Sequence, residues 1–201
     1  MSDYPRETEV KLYTPELNII QQRLESIGAK LIAPRIYERN MRYDNAAKSL
    51  IASGIVLRLR EDSRVRLTYK DPGVIESGIV TRTEIEVEVS DYSLMEAILG
   101  KLGYFPSMMY EKYRTTYKVM HTEVVLDEMP YGNFTEIEGD IDAIENVLDE
   151  LRLNGHKRYT ESYARLFDYV RYNLKLSFND LTFNNFEGIF APESAFQPPK
   201  E

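Results

Sequence analysis

The sequence predicts an α+β fold in which eight antiparallel strands close into a barrel, with a few helices packed outside it. Three observations lead there. Eight segments alternate apolar and polar residues with period two, as strands do when one face meets a core and the other does not. Only four segments repeat apolar residues at helical spacing. The polar positions of the strands are filled almost entirely by Arg, Lys and Glu, where an ordinary solvated face would also carry Ser, Gln and Asn.

Taken in order, the first strand is "RETEVKLY", residues 6–13. Thr14, Pro15 and Glu16 then predict a helix start: the threonine can cap, the proline has no amide hydrogen to leave unpaired, and the acid favours the positive helix end. Leu17, Ile20, Leu24 and Ile27 form that helix's apolar face, and Gly28 ends it. Further strands are expected at 37–44, 54–61, 64–71 and 80–89. Ser90 or Asp91 opens a second helix whose Leu94, Ile98 and Leu102 should face the core, with Gly103 as its stop. Strands at 109–119, 122–128 and 133–139 follow. Asp140 opens a third helix, carrying Ile141, Ile144, Val147, Leu148 and Leu151, and a fourth covers Glu161 to about Leu174. These elements make one domain over residues 1–176. Residues 177–201 are an extension, aromatic at first and then Pro-rich, expected to be partly ordered, to pack on the surface and to fray at its end. It could plug an opening, pack on a helix or form a homodimer contact.

Composition narrows the function. With 201 residues, 43% of them hydrophobic, the chain can bury an ordinary core. A formal charge of −8 excludes a broad nucleic-acid or anionic-membrane surface, which needs clustered Lys and Arg in excess. Any anion site must be local and enclosed. The absence of cysteine removes disulfides, thiolate ligands and a thiol nucleophile together. With no apolar leader and no stretch of membrane-spanning length, a soluble cytoplasmic protein is expected.

The charged strand faces are sorted by sign. Arg58 with Arg60, and Lys112 with Arg114, are basic pairs; Glu7 with Glu9, Glu84 with Glu86, and Glu136 with Glu138 are acidic pairs. Like charges about 4 Å apart repel by roughly 4 kcal/mol at an effective dielectric near 20, so each pair needs the opposite sign nearby. Closing the barrel would bring the two sets together in a wet tunnel. Its Arg and Lys could hold a chain of phosphates through charge-assisted hydrogen bonds. Its glutamates suit Mg²⁺ or Mn²⁺, hard cations that bridge carboxylates and phosphate oxygens.

This arrangement resembles the CYTH family, the triphosphate tunnel metalloenzymes, whose members include class IV adenylate cyclases, thiamine triphosphatases and inorganic triphosphatases. The resemblance rests on the E-x-E-x-K of Glu7, Glu9 and Lys11, then in order on Arg58-x-Arg60, Lys70, Arg82-x-Glu84-x-Glu86, Lys112-x-Arg114, Asp127 in "VVLDEMP", Glu136-x-Glu138 and the "TESYARLF" segment. It implies an eight-stranded tunnel in which Lys11, Arg58, Arg60, Lys70, Arg82, Lys112 and Arg114 grip a triphosphate. On the metal side the resemblance implies Glu7, Glu9, Glu136 and Glu138 as ligands, Glu84 and Glu86 as ligands or as partners orienting the arginines, and Asp127 as a site acid or equally a turn acid; Glu7, Glu9 and Lys11 are the candidate catalytic group. His121 and His156 are expected on the surface. Attack by water would give a triphosphatase; attack by the ribose hydroxyl of ATP would give a cyclase. The family's cyclases tend to carry His-Phe before the first motif, where this chain reads "SDYPRE", so hydrolysis is the expected reaction. Tyr37, Tyr43, Tyr69 and Tyr110 could line a base pocket, although strand spacing suits them better to packing. A non-catalytic polyphosphate or nucleotide binder is the remaining alternative.

Overall fold

The computed structural model describes residues 4–199. In chain order the elements are β1 (Arg6–Tyr13), α1 (Leu17–Ser26), β2 (Lys30–Asp44), α2 (Ser49–Ala52), β3 (Val56–Glu61), β4 (Val65–Lys70), β5 (Val74–Glu76), β6 (Ile79–Val89), α3 (Tyr92–Lys101), β7 (Phe105–Val119), β8 (Thr122–Met129), β9 (Gly132–Glu138), α4 (Ile141–Glu150) and α5 (Tyr163–Leu174), with a 3₁₀ turn at Glu193–Phe196. The strands run β1-β9-β8-β7-β2-β3-β4-β6 around the sheet, and β6 pairs back onto β1 to close an antiparallel barrel. The expected eight strands are all present. The structure adds the short β5, which pairs with β6, and the one-turn α2.

The barrel is charged inside and apolar outside. Val10 and Leu12, which alternate with Glu9 and Lys11, meet Ile20 and Leu24 of α1 and Ile144, Val147 and Leu148 of α4 in a buried cluster. Tyr43 and Leu59, which alternate with Arg42, Arg58 and Arg60, pack with Leu99 of α3. Period two therefore does two jobs: one set of side chains seats the helices, and the other fills the lumen.

Several local expectations change. Thr14 does not cap α1; Glu16 takes the cap position without a side-chain hydrogen bond. Thr14 instead prolongs the β1 edge, its N–H donating to the Asn133 carbonyl and its hydroxyl lying 2.8 Å from that of Thr135. Gly28 and Gly103 do end their helices, at φ +76° and +88°. The apolar face expected to bury α3 is exposed: Leu94, Ile98 and Leu102 are 65%, 51% and 68% accessible, and only Leu99 on that helix is buried. The reason is geometric, since α3 meets the sheet through Leu99 and the half-buried Tyr92 and Met95. Ile141 of α4 is exposed likewise.

The stretch from 177 to 199 does more than lie on the surface. Leu181 bridges to Tyr110 in parallel, exchanging backbone hydrogen bonds with Met109 and Glu111, where β7 runs on past the end of β8. Phe186 and Phe196 are buried against Tyr131, Phe134 and Phe167.

Candidate active site

The strand registers set the lumen residue by residue. Glu7 lies opposite Arg82 where β1 meets β6, and Glu9 opposite Glu138 and Lys11 opposite Glu136 where β1 meets β9. Arg114 lies opposite Asp127, Arg60 opposite Asn40, and Lys70 opposite Glu84. Each partner sits on the inner face because it is an even number of residues from the others on its strand. The result is a cavity of about 450 Å³, lined by Glu7, Glu9, Lys11, Arg58, Arg60, Lys70, Arg82, Glu84, Glu86, Lys112, Arg114, Glu136 and Glu138. Asp127 is fully buried and does not line it.

Nearly every charge in the lumen has a partner. Lys70 Nζ donates to both oxygens of Glu7 at 2.9 and 2.8 Å and lies 2.8 Å from Glu84. Arg82 spans Glu7 and Glu9 at 2.9 and 2.7 Å. Lys11 pairs with Glu136 at 3.2 Å, Arg60 with Glu38 at 3.5 Å, and Arg58 with Glu86 at 3.7 Å. Arg114 grips Asp127 through Nε and Nη2 at 2.7 and 2.6 Å and reaches Glu136 at 2.7 Å. Lys112 and the Tyr163 hydroxyl also donate to Asp127, at 3.0 and 2.9 Å. Asp127 therefore fixes the basic pair from behind, a place the implied metal set did not anticipate.

The electrostatics follow from these pairings. Burial opposes ionisation of Glu7, but Lys70 and Arg82 outweigh it and hold the carboxyl well below the usual carboxylate range. Asp127 is lowered in the same way by Arg114 and Lys112. Glu138 goes the other way: burial and then Glu7, Glu123 and Glu9 push it up to about 7. Among the described residues it has no cation within ion-pair distance. Acid is thus in local excess where Glu7, Glu9, Glu123 and Glu138 converge.

The lumen also contains residues not singled out from the sequence. Arg42, Arg66, Glu123 and Tyr163 line the cavity, and Glu38 is buried beside its basic wall; Tyr110, one of the four tyrosines weighed for a base pocket, lines it too. The signal for β2 was available, because Glu38, Asn40 and Arg42 share the period-two spacing that marked the other strands. Tyr110 bonds Arg58 Nη1 at 2.9 Å. Burial would raise its phenol, but Arg58, Lys112 and Arg60 together lower it. At one end of the lumen Tyr13, Phe134 and Tyr163 close ranks, with ring centroids 5.5 and 5.3 Å apart, so α5 covers that end with its first turn. His121 and His156 are exposed, as expected. Among the described residues, no helix is long and apolar enough to cross a membrane.

A closed antiparallel barrel whose lumen carries interleaved Arg, Lys and Glu defines a class of tunnel proteins. The chain belongs to the CYTH domain family, whose sequence pattern it matches over residues 5–164. A Methanocaldococcus jannaschii protein provisionally named an adenylate cyclase is 30% identical over 150 residues, covering 72% of this chain and 85% of that one. Among solved structures, a provisionally named adenylate cyclase from Vibrio parahaemolyticus superposes with a TM-score of 0.70 at 18% identity, covering 83% of this chain and 99% of the other. A Hippeastrum protein, provisionally named an adenylyl cyclase and described as having a dominant triphosphatase activity, gives 0.62 at 18% identity, with 81% and 95% covered. The family is metal-dependent in general.

Proposed function

We propose that this chain hydrolyses a triphosphate inside the lumen, with inorganic triphosphate as the substrate that best fits it. The observation that carries this reading is the convergence, in one enclosed cavity, of a basic wall with a carboxylate cluster short of positive charge. The basic wall, from Lys11 through Arg58, Arg60, Lys70, Arg82, Lys112 and Arg114, offers donors for many phosphate oxygens.

The carboxylates fit a divalent cation. Glu138 is pushed up to about 7 by burial first and then by Glu7, Glu123 and Glu9, and hard carboxylate oxygens such as these suit Mg²⁺ or Mn²⁺. Among the described residues no group of three acids is arranged to hold a metal ion as the chain stands, so an ion bound there would draw carboxylates away from their present base partners and fill its remaining positions with water. Glu138, free of a base partner among the described residues, would hold it together with Glu7 and Glu9, shared with Lys70 and Arg82, and Glu136, shared with Lys11 and Arg114. Bound there, the ion would supply positive charge to the phosphoryl oxygens. The chain's own residues do the rest: Lys11, Arg58 and Arg60 orient the phosphates, and Lys112 and Arg114, fixed by Asp127, offset the charge that builds as water attacks phosphorus and the anhydride P–O bond breaks.

Cyclisation of ATP is the second reading, favoured by the name of the Methanocaldococcus jannaschii relative. It needs a pocket for adenine. Tyr43 is buried under α3, bonded to Glu96, Tyr37 packs on Tyr113, and Tyr69 bonds Asp71. Only Tyr110 of the four candidates reaches the cavity.

Phosphorus NMR of the protein with Mg²⁺ or Mn²⁺ and, separately, inorganic triphosphate or ATP tests the reading. Orthophosphate released fastest from inorganic triphosphate supports it; pyrophosphate with cyclic AMP from ATP replaces it with the cyclase. Glu9→Gln should lose at least about a hundredfold in metal-dependent turnover, in the range seen when one stabilising group is removed from an active site, while remaining folded.

A further inference from the structure

Among the described residues, Arg42 is the enclosed cation of the lumen that the charge pairing leaves unsolved. Every other cation of the lining, apart from the exposed Arg6, has a carboxylate within ion-pair distance, but among the described residues Arg42 makes no ion pair and its side chain no hydrogen bond. Its register partner across β2 and β3 is another arginine, Arg58. Directly opposed like charges on neighbouring strands repel. Arg58 is relieved by Tyr110, Thr68 and Glu86; Arg42 has no such relief. Burial lowers its guanidinium pKa and Arg58 lowers it further, with Tyr110 opposing. A half-buried cation beside a second cation, facing a cavity, is a place for an anion that the protein itself does not supply.

Its position says which anion. In the closed ring of strands, β2 is four strands from β1 in either direction, so Arg42 faces the β1 carboxylates from the opposite wall. It also lies toward the end covered by α5, since Asp168 of α5 is among the charges acting on it. Ser162 and Ala164, at the start of α5, also line the cavity.

Resting on the reading of the lumen as a triphosphate site, we propose that Arg42 is a specificity residue: together with Arg58 it binds the terminal phosphoryl group of the chain, at the end away from the carboxylates. The lumen thereby selects for length. A three-phosphoryl chain reaches from the carboxylate wall to Arg42, and a two-phosphoryl chain held at the carboxylates does not.

Calorimetric binding, with Mg²⁺ present, of the imido-bridged analogues of triphosphate and diphosphate tests this without turnover. In them a P–NH–P link replaces the hydrolysable anhydride. The wild type should prefer the triphosphate analogue. Arg42→Ala should weaken that analogue by about tenfold or more, the worth of a charge-assisted hydrogen bond, and leave the diphosphate analogue within about twofold. Arg42→Lys should recover part of the loss, and unchanged melting temperatures would show both variants folded. Equal weakening of both analogues would reduce Arg42 to general positive potential, and no weakening of either would remove it from the site; both results overturn the proposal. If the wild type binds the triphosphate analogue but releases no orthophosphate from triphosphate, the hydrolysis reading fails while the Arg42 comparison still stands.

Discussion

At Asp127 a single buried carboxylate holds three donors from two elements: Lys112 and Arg114 on β7, and the Tyr163 hydroxyl at the start of α5. Removing a charge from water is costly, and it is offset only where geometry and hydrogen bonding are nearly complete. Here they nearly are, because Arg114 is bidentate and Oδ2 also accepts from Lys112 and Tyr163. Asp127→Asn preserves shape but leaves two buried cations facing one acid fewer. It should cost about 3 kcal/mol, at the lower end of what breaking a buried pair costs, because Glu38 and Glu136 still face those cations. Urea denaturation would measure it, and a loss below about 1 kcal/mol, the level of a surface pair, would show that Asp127 does not hold the basic wall.

The segment after α5 behaves as an element of the barrel even though it has almost no regular structure. Phe196 is 1% exposed, and its ring lies 5.1 Å from Tyr13, 5.5 Å from Tyr131 and 5.7 Å from Phe134. Tyr13 follows Lys11 by period two, and Phe134 precedes Glu136 by the same step, so this aromatic group backs the covered end of the lumen. Phe196→Ala should therefore cost about 3–5 kcal/mol, as core Phe truncations do, and denaturation should remain a single transition. A separate early transition would mean that the segment unfolds independently. The strands of the tunnel were plain in the sequence, because a charge at every second position of strand after strand needs a polar interior to face, and a closed barrel provides one. Far less was legible of what covers them. Leu94, Ile98 and Leu102 have the same helical spacing as the buried face of α4, and periodicity cannot report whether a sheet lies beneath a stripe. Arg42 escaped because β2 mixes Glu38, Asn40 and Arg42 rather than pairing like charges, and Asp127 looked like a ligand because only the register shows that it faces Arg114.

For the whole molecule, the lumen makes folding depend on pH with a definite sign. Burial opposes ionisation of Glu38, yet Lys112, Arg60 and Arg114 bring it to about 2, against 4.5 for a free glutamate. Glu7, Asp127 and Glu136 are lowered too, by Lys70, by Arg114 and by Lys11 respectively, each against burial. A carboxylate lowered on folding binds its proton more readily in the unfolded chain, so its stabilising effect is present above the unfolded value and is lost as pH falls through the folded one. Glu138 and Glu84 have the opposite sign: raised by burial first, they favour the fold at low pH and lose that effect as pH rises, for Glu138 through about 7. The lowered groups are the more deeply enclosed, so the acid limb should be the steeper. The melting temperature should fall sharply once pH drops below about 4.5 and decline only gently from about pH 5 to 8. Because the pairs are enclosed, about 0.5 M NaCl at neutral pH should change it little. Calorimetric scans across this range decide the point: a melting temperature that holds steady down to about pH 3 would mean that the buried carboxylates gain nothing from their bases on folding.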